Sequence, residues 1–328
     1  MHCCVVINPK AGKQLFINLY LPLVLAVFDE HNITYDIVYT TARYSATEIA
    51  KKYHGLCDFF TILGGDGTIK EIVAGMMDDP KPIGIIPVGT VNVLAMDLGI
   101  PFDPIAAAHT IATGNIKKID IGITNGEPFL LMTSIGIDAD AVHHVNLNAK
   151  KIIGRLAYIT SAIKSIFLYR PTRVSVKLLD KSIVDSGYVA IVSNSRFYGG
   201  KFTIDENTRI DDGLLNVTLF KRGSIIDTFR LFMGVLTKTQ GNLKDIAFYQ
   251  SSRLLISSKK KARVQIDGDI AGYPPLDISV KTEFLPVFIP DKKYVLPQYT
   301  RKYLKRFFKN LTKERKKQVK AHGPLTWL

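Results

Sequence analysis

Up to about Thr124, short apolar runs alternate with stretches of helical period. The runs at 3–8, 34–40, 58–63 and 83–86 read as strands, and the patterns at 13–30, 45–53, 68–77, near 92–98 and at 104–113 read as helices. Strands alternating with helices of this length predict right-handed βαβ units and a mostly parallel, doubly wound α/β sheet. The texture then changes. Period-two or apolar runs dominate at 128–135, 173–179, 187–193, 214–220, 246–256, 262–267, 276–281 and 284–289, with helical patterns only near 138–146, 151–168 and 224–238. The expected architecture is an α/β domain over 1–124, which a returning segment 283–295 would complete. A β-rich, sandwich-like domain over 125–290 and a basic amphipathic tail over 291–328 follow, with any active site in the cleft between the two domains.

Composition narrows the class. A chain of 328 residues with 47% hydrophobic and 22% charged positions is an ordinary globular protein, not a disordered or fibrous one. Three cysteines, Cys3, Cys4 and Cys57, form neither a disulfide framework nor a zinc spacing, which fits a reducing cytoplasm. The first apolar run reaches Lys10 too soon for a signal-peptide core. The charge-free stretch Gln14–Phe28 is interrupted by Asn18 and Pro22 and falls short of the ~20 residues of a membrane span, so it reads as a buried helix.

Net charge is +14, and its placement matters more than its size. Twelve basic residues lie between Lys292 and Lys320 against one acid, Glu314. The rest of the chain is close to balanced, which argues against nucleic acid as a partner. Tyr303, Leu304, Phe307, Phe308 and Leu311 share one helical face flanked by Lys302, Lys305, Arg306 and Lys309. This is the pattern of an interfacial helix, and it makes an anionic membrane surface the expected partner.

The chemistry concentrates in Thr61-Ile62-Leu63-Gly64-Gly65-Asp66-Gly67-Thr68-Ile69-Lys70-Glu71, a buried strand running through a glycine turn into a helix. Glycines admit a close ligand and positive φ, and a helix N-terminus attracts anions, so the turn suits phosphate. Asp66 beside such amides is expected near a metal cation. Thr68 and Glu71 have the spacing of a capping box. A second turn follows in Pro87-Val88-Gly89-Thr90-Val91-Asn92, and in a parallel sheet both turns open onto one crevice. Asn8-Pro9-Lys10 and Thr40 project to the same edge, where Asn92 also fits a helix N-cap and Asn8 a simple turn.

These segments, with Ser134-Ile135-Gly136-Ile137-Asp138, Asp212-Gly213-Leu214-Leu215 and Asp267-Gly268-Asp269, occur in the order found in the diacylglycerol kinase catalytic family. From about residue 3 to 290 the chain most resembles that family's bacterial soluble lipid kinases. The resemblance implies that Gly64, Gly65, Gly67 and Thr68 wrap the phosphates of ATP, with Asn8, Lys10, Thr40, Gly89 and Thr90 lining the nucleotide site. It places Asp66 and Asn92 in a Mg²⁺ and water network, Asp66 thereby serving catalysis, and makes Asp267 the general base. Asp269 stands where the family commonly has glutamate. A structural Mg²⁺ would be held by Asp212, the main-chain carbonyl of Leu214 and Arg209, the last through its main chain only.

The implied activity is ATP- and Mg²⁺-dependent phosphorylation of a lipid hydroxyl, foremost diacylglycerol to phosphatidic acid. The enzyme would be cytoplasmic, peripheral at the inner face of the membrane, with a homodimer as one admissible assembly. Two alternatives stand beside it: an NAD kinase-like enzyme, which shares the glycine-aspartate turn, and a catalytically weak nucleotide- or lipid-binding recruitment protein. By turn chemistry alone, Asp267-Gly268 reads equally as a hairpin turn between strands 262–267 and 276–281. No G-x-x-x-x-G-K-[ST], H-R-D or H-E-x-x-H motif occurs.

Overall fold

The structure, a computed structural model, describes residues 1–11, 14–136, 139, 171–198, 202–203, 205–224, 227 and 245–291. The expected helices at 138–146, 151–168 and 224–238 lie almost wholly outside these residues, and the basic tail lies outside them from 292 onward.

The first half runs β1 (His2–Ile7), α1 (Gln14–Glu30), β2 (Thr34–Tyr39), α2 (Ser45–Tyr53), β3 (Phe59–Gly64), α3 (Asp66–Ala74), β4 (Ile83–Pro87), α4 (Val93–Asp97) and α5 (Pro104–Thr113). Strands β2, β1, β3 and β4 pair in that order, all parallel. β3 and β4 are buried along their whole length, as continuous apolar runs require when helices cover both faces of a sheet. Helix α1 packs on α5 and α2 on α3. Among the described residues no helix is long and apolar enough to cross a membrane.

The second half is antiparallel: β5 (Asn115–Thr124), β6 (Glu127–Phe129), β7 (Met132–Ile135), β8 (Val174–Leu178), β9 (Ile183–Gly187), β10 (Val189–Ser193), β11 (Phe197–Tyr198), β12 (Phe202–Thr203), β13 (Leu215–Phe220), β14 (Ile246–Ser251), β15 (Arg253–Ser258), β16 (Val264–Ile266), β17 (Asp269–Ile270) and β18 (Leu276–Ile289). One sheet has the order β14-β13-β10-β7-β16-β17. The other continues the parallel sheet through β18 to β15, β8 and β9. Phe129, Val192, Val217, Ile256, Val264 and Ile278 fill the core of this second half.

Four departures from the hydrophobic pattern matter for the site. The run 128–135 is two strands, because the chain turns its N–H groups away from the ladder at Leu130 and Leu131. The run 246–256 divides between the two sheets at Ser252, where Asp180 accepts hydrogen bonds from Ser251 Oγ and Ser252 N. Conversely, 276–281 and 284–289 are one strand, β18, with an irregularity between Lys281 and Leu285. Its last residues lie parallel to β4 at Val287↔Ile83, while its first pair with β15 at Ile278↔Leu254. Finally β5, which the pattern does not predict, pairs along β18; Lys117 and Lys118 hide its alternating isoleucines.

Candidate functional site

The two glycine turns touch. Val88 N donates to Gly64 O, and the backbones cross so closely that a Cβ on Gly89 would stand 2.6 Å from Gly65 Cα and 2.5 Å from Asn92 Oδ1. A Cβ on Gly64 would meet the Thr68 side chain at 2.9 Å, whereas one on Gly67 would face open space. None of these glycines has positive φ. Glycine is therefore required at Gly89 by turn-to-turn packing and at Gly64 by the Thr68 side chain of its own turn, and Gly67 is the position left open to a ligand.

Helix α3 starts at Asp66 with Gly65 as its N-cap, two residues earlier than the expected start. Thr68 consequently sits inside the helix, and the capping box does not form. Its hydroxyl accepts from Asn8 Nδ2 at 2.9 Å, and Glu71 instead accepts from Ala46 N at the start of α2. Asp66 joins the two turns: its carboxylate oxygens accept from Val93 N and Leu94 N at 2.9 and 3.0 Å, capping α4 across space. Burial raises the Asp66 carboxyl above its ordinary range, opposed by those two N–H groups.

Asn92 adopts the left-handed conformation (φ 56°) before α4 and does not cap it. Its Nδ2 donates to Gly89 O, while its buried Oδ1 has no hydrogen-bond partner among the described residues. An orphaned acceptor at the crossing of two glycine turns fits a cation's water shell. The remaining strand ends close the rim: Asn8 N donates to Leu63 O, Thr40 N to Ile7 O, and Asn8 Oδ1 accepts from Lys10 N. Thr40 is buried, Lys10 and Thr90 exposed. All four strand ends of the expected crevice thus meet in one place.

On the facing side, Asp267 takes positive φ (49°) and Gly268 follows at 84°, as a tight hairpin demands. The hairpin joins β16 to the two-residue β17, not to the strand at 276–281. The Asp267 carboxylate lies in a cup of main-chain donors. Oδ2 accepts from Leu130 N at 2.7 Å, and Oδ1 from both Leu131 N and Met132 N at 2.9 Å. Burial pushes this carboxyl up to about 6, against the three N–H groups and the nearby Lys70 charge, which pull it down. Asp269 is exposed and pairs with Arg43, from the loop after β2, at 3.1 Å. That pair spans from the parallel sheet's edge to the hairpin.

Sequence reasoning missed Lys70, Arg43, Asp97 and Asp120. Lys70 is buried one turn into α3, its Nζ 2.7 Å from Glu127 Oε1 and 3.5 Å from Ile266 O. A lysine on the inward face of a helix was the available signal. Asp97 receives Ser195 Oγ at 2.7 Å and pairs with Arg196, fastening α4 to the chain after β10. Asp120 is buried and accepts from Gly213 N and Glu283 N.

The expected metal corner lies beside Asp120. Asp212 Oδ1 accepts from Leu214 N; burial raises its carboxyl, and the charges of Asp120 and Asp211 raise it further. Lys117 pairs with Asp211, and Arg209 is exposed. Among the described residues no group of three or more His, Cys, Asp or Glu gathers as a metal site.

Residues 2–124 match the diacylglycerol kinase catalytic domain, and residues 132–289 the YegS C-terminal NAD kinase beta sandwich-like domain. A diacylglycerol kinase of Bacillus subtilis is 28% identical over 294 residues, covering 88% of this chain and 96% of that protein. One from Staphylococcus carnosus is 25% identical over 295 residues, covering 87% and 94%. A crystal structure of a diacylglycerol kinase from Bacillus anthracis superposes with a TM-score of 0.73 at 23% identity, covering 88% of this chain and 96% of that one, which establishes the shared fold. With both domains matched in order across the joined sheets, the chain belongs to the diacylglycerol kinase catalytic family.

Proposed function

We propose that this protein is an ATP- and Mg²⁺-dependent lipid kinase that phosphorylates the hydroxyl of diacylglycerol at a membrane surface. The observation that carries the reading is the route of α3: its first turn is the glycine junction, and its next turn carries Lys70 to the backbone of the Asp267 hairpin. Phosphoryl transfer asks for positioning and charge neutralisation more than covalent help, and this arrangement joins a phosphate cradle to a carboxylate through one rigid element.

In this reading the exposed backbone around Gly67 and the rim residues Asn8, Lys10, Thr40 and Thr90 bind and orient the nucleotide. Asn92 Oδ1 and Asp66 would hold the water shell of Mg²⁺, which when bound neutralises phosphate charge. Asp267 accepts the proton of the acceptor hydroxyl at Oδ2, the oxygen that carries one N–H contact where Oδ1 carries two. The exposed Arg43–Asp269 pair would add a charged contact from the loop after β2 to the hairpin of Asp267.

A screen of ³²P transfer from ATP in mixed micelles tests this, with diacylglycerol, monoacylglycerol, a sphingoid base, a glycolipid and NAD as acceptors. Labelled phosphatidic acid supports the proposal. Label in another lipid keeps the kinase and changes its substrate; label in NAD, or none at all, overturns it.

A further inference from the structure

Lys70 is a buried cation beside the main-chain amides that hold Asp267. Its ammonium touches two different walls. Glu127 begins β6, and three to five residues later the same segment supplies Leu130, Leu131 and Met132 N–H to Asp267. Ile266, whose carbonyl oxygen lies 3.5 Å from Lys70 Nζ, is the residue immediately before Asp267. One side chain thus spans both halves of the cup that holds the carboxylate. The same helix turns back to the phosphate side at Asp66 and Thr68, so Lys70 ties the two ends of the cleft together. Burying a lysine is costly unless it is paired, and the half-exposed Glu127 supplies that pairing at 2.7 Å.

We propose that Lys70 is a positioning residue for the acceptor base: it fixes the Asp267 hairpin against α3, and its charge keeps the Asp267 carboxylate ionised inside an enclosed site. This rests on the reading of Asp267 as the base. Among the described residues the charged groups around Asp267 are few. Lys70 approaches from α3, Glu127 from β6 through its pairing with Lys70, and Asp269 from its own hairpin, where Arg43 offsets it. The segment 130–132 brings only main-chain donors. Among the described residues, Lys70 is therefore the positive side chain whose removal leaves the three main-chain N–H groups as the support of the Asp267 carboxylate. The net upward displacement of Asp267 agrees with this, because burial outweighs the donors even with Lys70 present.

The test uses the full chain and two readouts. The first is the ¹³C carboxyl titration of Asp267 in labelled protein without nucleotide or lipid, assigned by its disappearance in Asp267→Asn. In Lys70→Met its midpoint rises by about one pH unit, and in Lys70→Arg it stays near that of the unmodified protein. The second is the pH profile of kcat. Its acidic limb moves upward by the same amount in Lys70→Met, so that turnover falls roughly fivefold more at pH 6 than on the alkaline plateau, and Lys70→Arg restores the limb. A uniform loss of kcat with an unmoved limb and an unmoved midpoint assigns Lys70 to structure alone and overturns the proposal. Should Lys70→Met not fold, Glu127→Gln decides: it removes the charge that offsets Lys70, so the Asp267 midpoint must fall, and a stationary midpoint refutes the coupling. If no hydroxyl is ever phosphorylated, the kinase reading fails while the carboxyl titration still reports on Lys70.

Discussion

Asp66 and Asp267 are both aspartates followed by glycine, both held by main-chain N–H groups and both raised by burial, yet the two regions use them differently. Asp66 lies in the first turn of α3, and each of its carboxylate oxygens accepts from one of two successive N–H groups of α4. It is a joint between two turns, which explains its position better than direct contact with a metal. Asp267 lies in a left-handed hairpin position, carries three donors on two oxygens, and has a lysine beside its backbone. The lesson is that a buried carboxylate becomes reactive or structural according to which neighbours compete for its lone pairs and whether a cation faces it, not according to the dipeptide it sits in.

The contrast is sharpest in Asp267→Asn. Replacing the proposed base should cut kcat by ~10²–10⁴ while leaving nucleotide affinity nearly intact, as isothermal titration with Mg·ATP would read. Near-normal turnover at saturating substrates removes Asp267 from the chemistry and makes the two regions alike.

Asp66→Ala should act the other way, on architecture first. Two buried donors at the start of α4 lose their acceptor, at about 1–3 kcal/mol each, so denaturant unfolding should report a large loss of stability with nucleotide binding and turnover falling together. Full stability with lost Mg²⁺ dependence would instead make Asp66 a metal residue.

The glycines divide along the same line. Gly89→Ala drives a methyl group into Gly65 and Asn92 and should cost about 1–3 kcal/mol in a thermal or denaturant melt. Gly67→Ala enters open space inside a helix and should leave stability unchanged or raise it by up to about 1 kcal/mol, while raising KM for ATP. Equal effects on stability would mean that Gly67 is not the open face.

A smaller effect is the pH response of Asp267. Its folded carboxyl sits near 6, above its unfolded value, so its contribution to stability is present at low pH and declines as pH rises through about 6. Activity should rise over the same interval as the base ionises. Comparing unfolding free energies of the unmodified protein and Asp267→Asn between pH 4 and 7 isolates that slope. The smallest effect belongs to Arg43→Ala, which breaks an exposed ion pair and should change stability by less than about 0.5 kcal/mol. A much larger loss would show that the pair holds the cleft together.

The sequence by itself determined the βαβ half, because short apolar runs alternating with stretches of helical period leave little freedom in period or order. It also determined that Asn8, Thr40, the turn after β3 and the turn after β4 share an edge, since strand ends in a parallel sheet must. The lipid-kinase resemblance, too, was legible in the order of the glycine motifs. Tertiary structure alone decided what those residues hold. Glu71 caps α2 and not its own helix, Asp66 caps α4, and the 128–135 run breaks so that its N–H groups can turn to Asp267, all through contacts distant in sequence. Strand β5 escaped notice because its lysines interrupt the pattern, and only its pairing with β18 makes it a strand. Lys70 escaped for the same physical reason: a charge on a helix reads as solvent-facing until the hairpin carrying Asp267, almost two hundred residues later, folds over it and takes the water away.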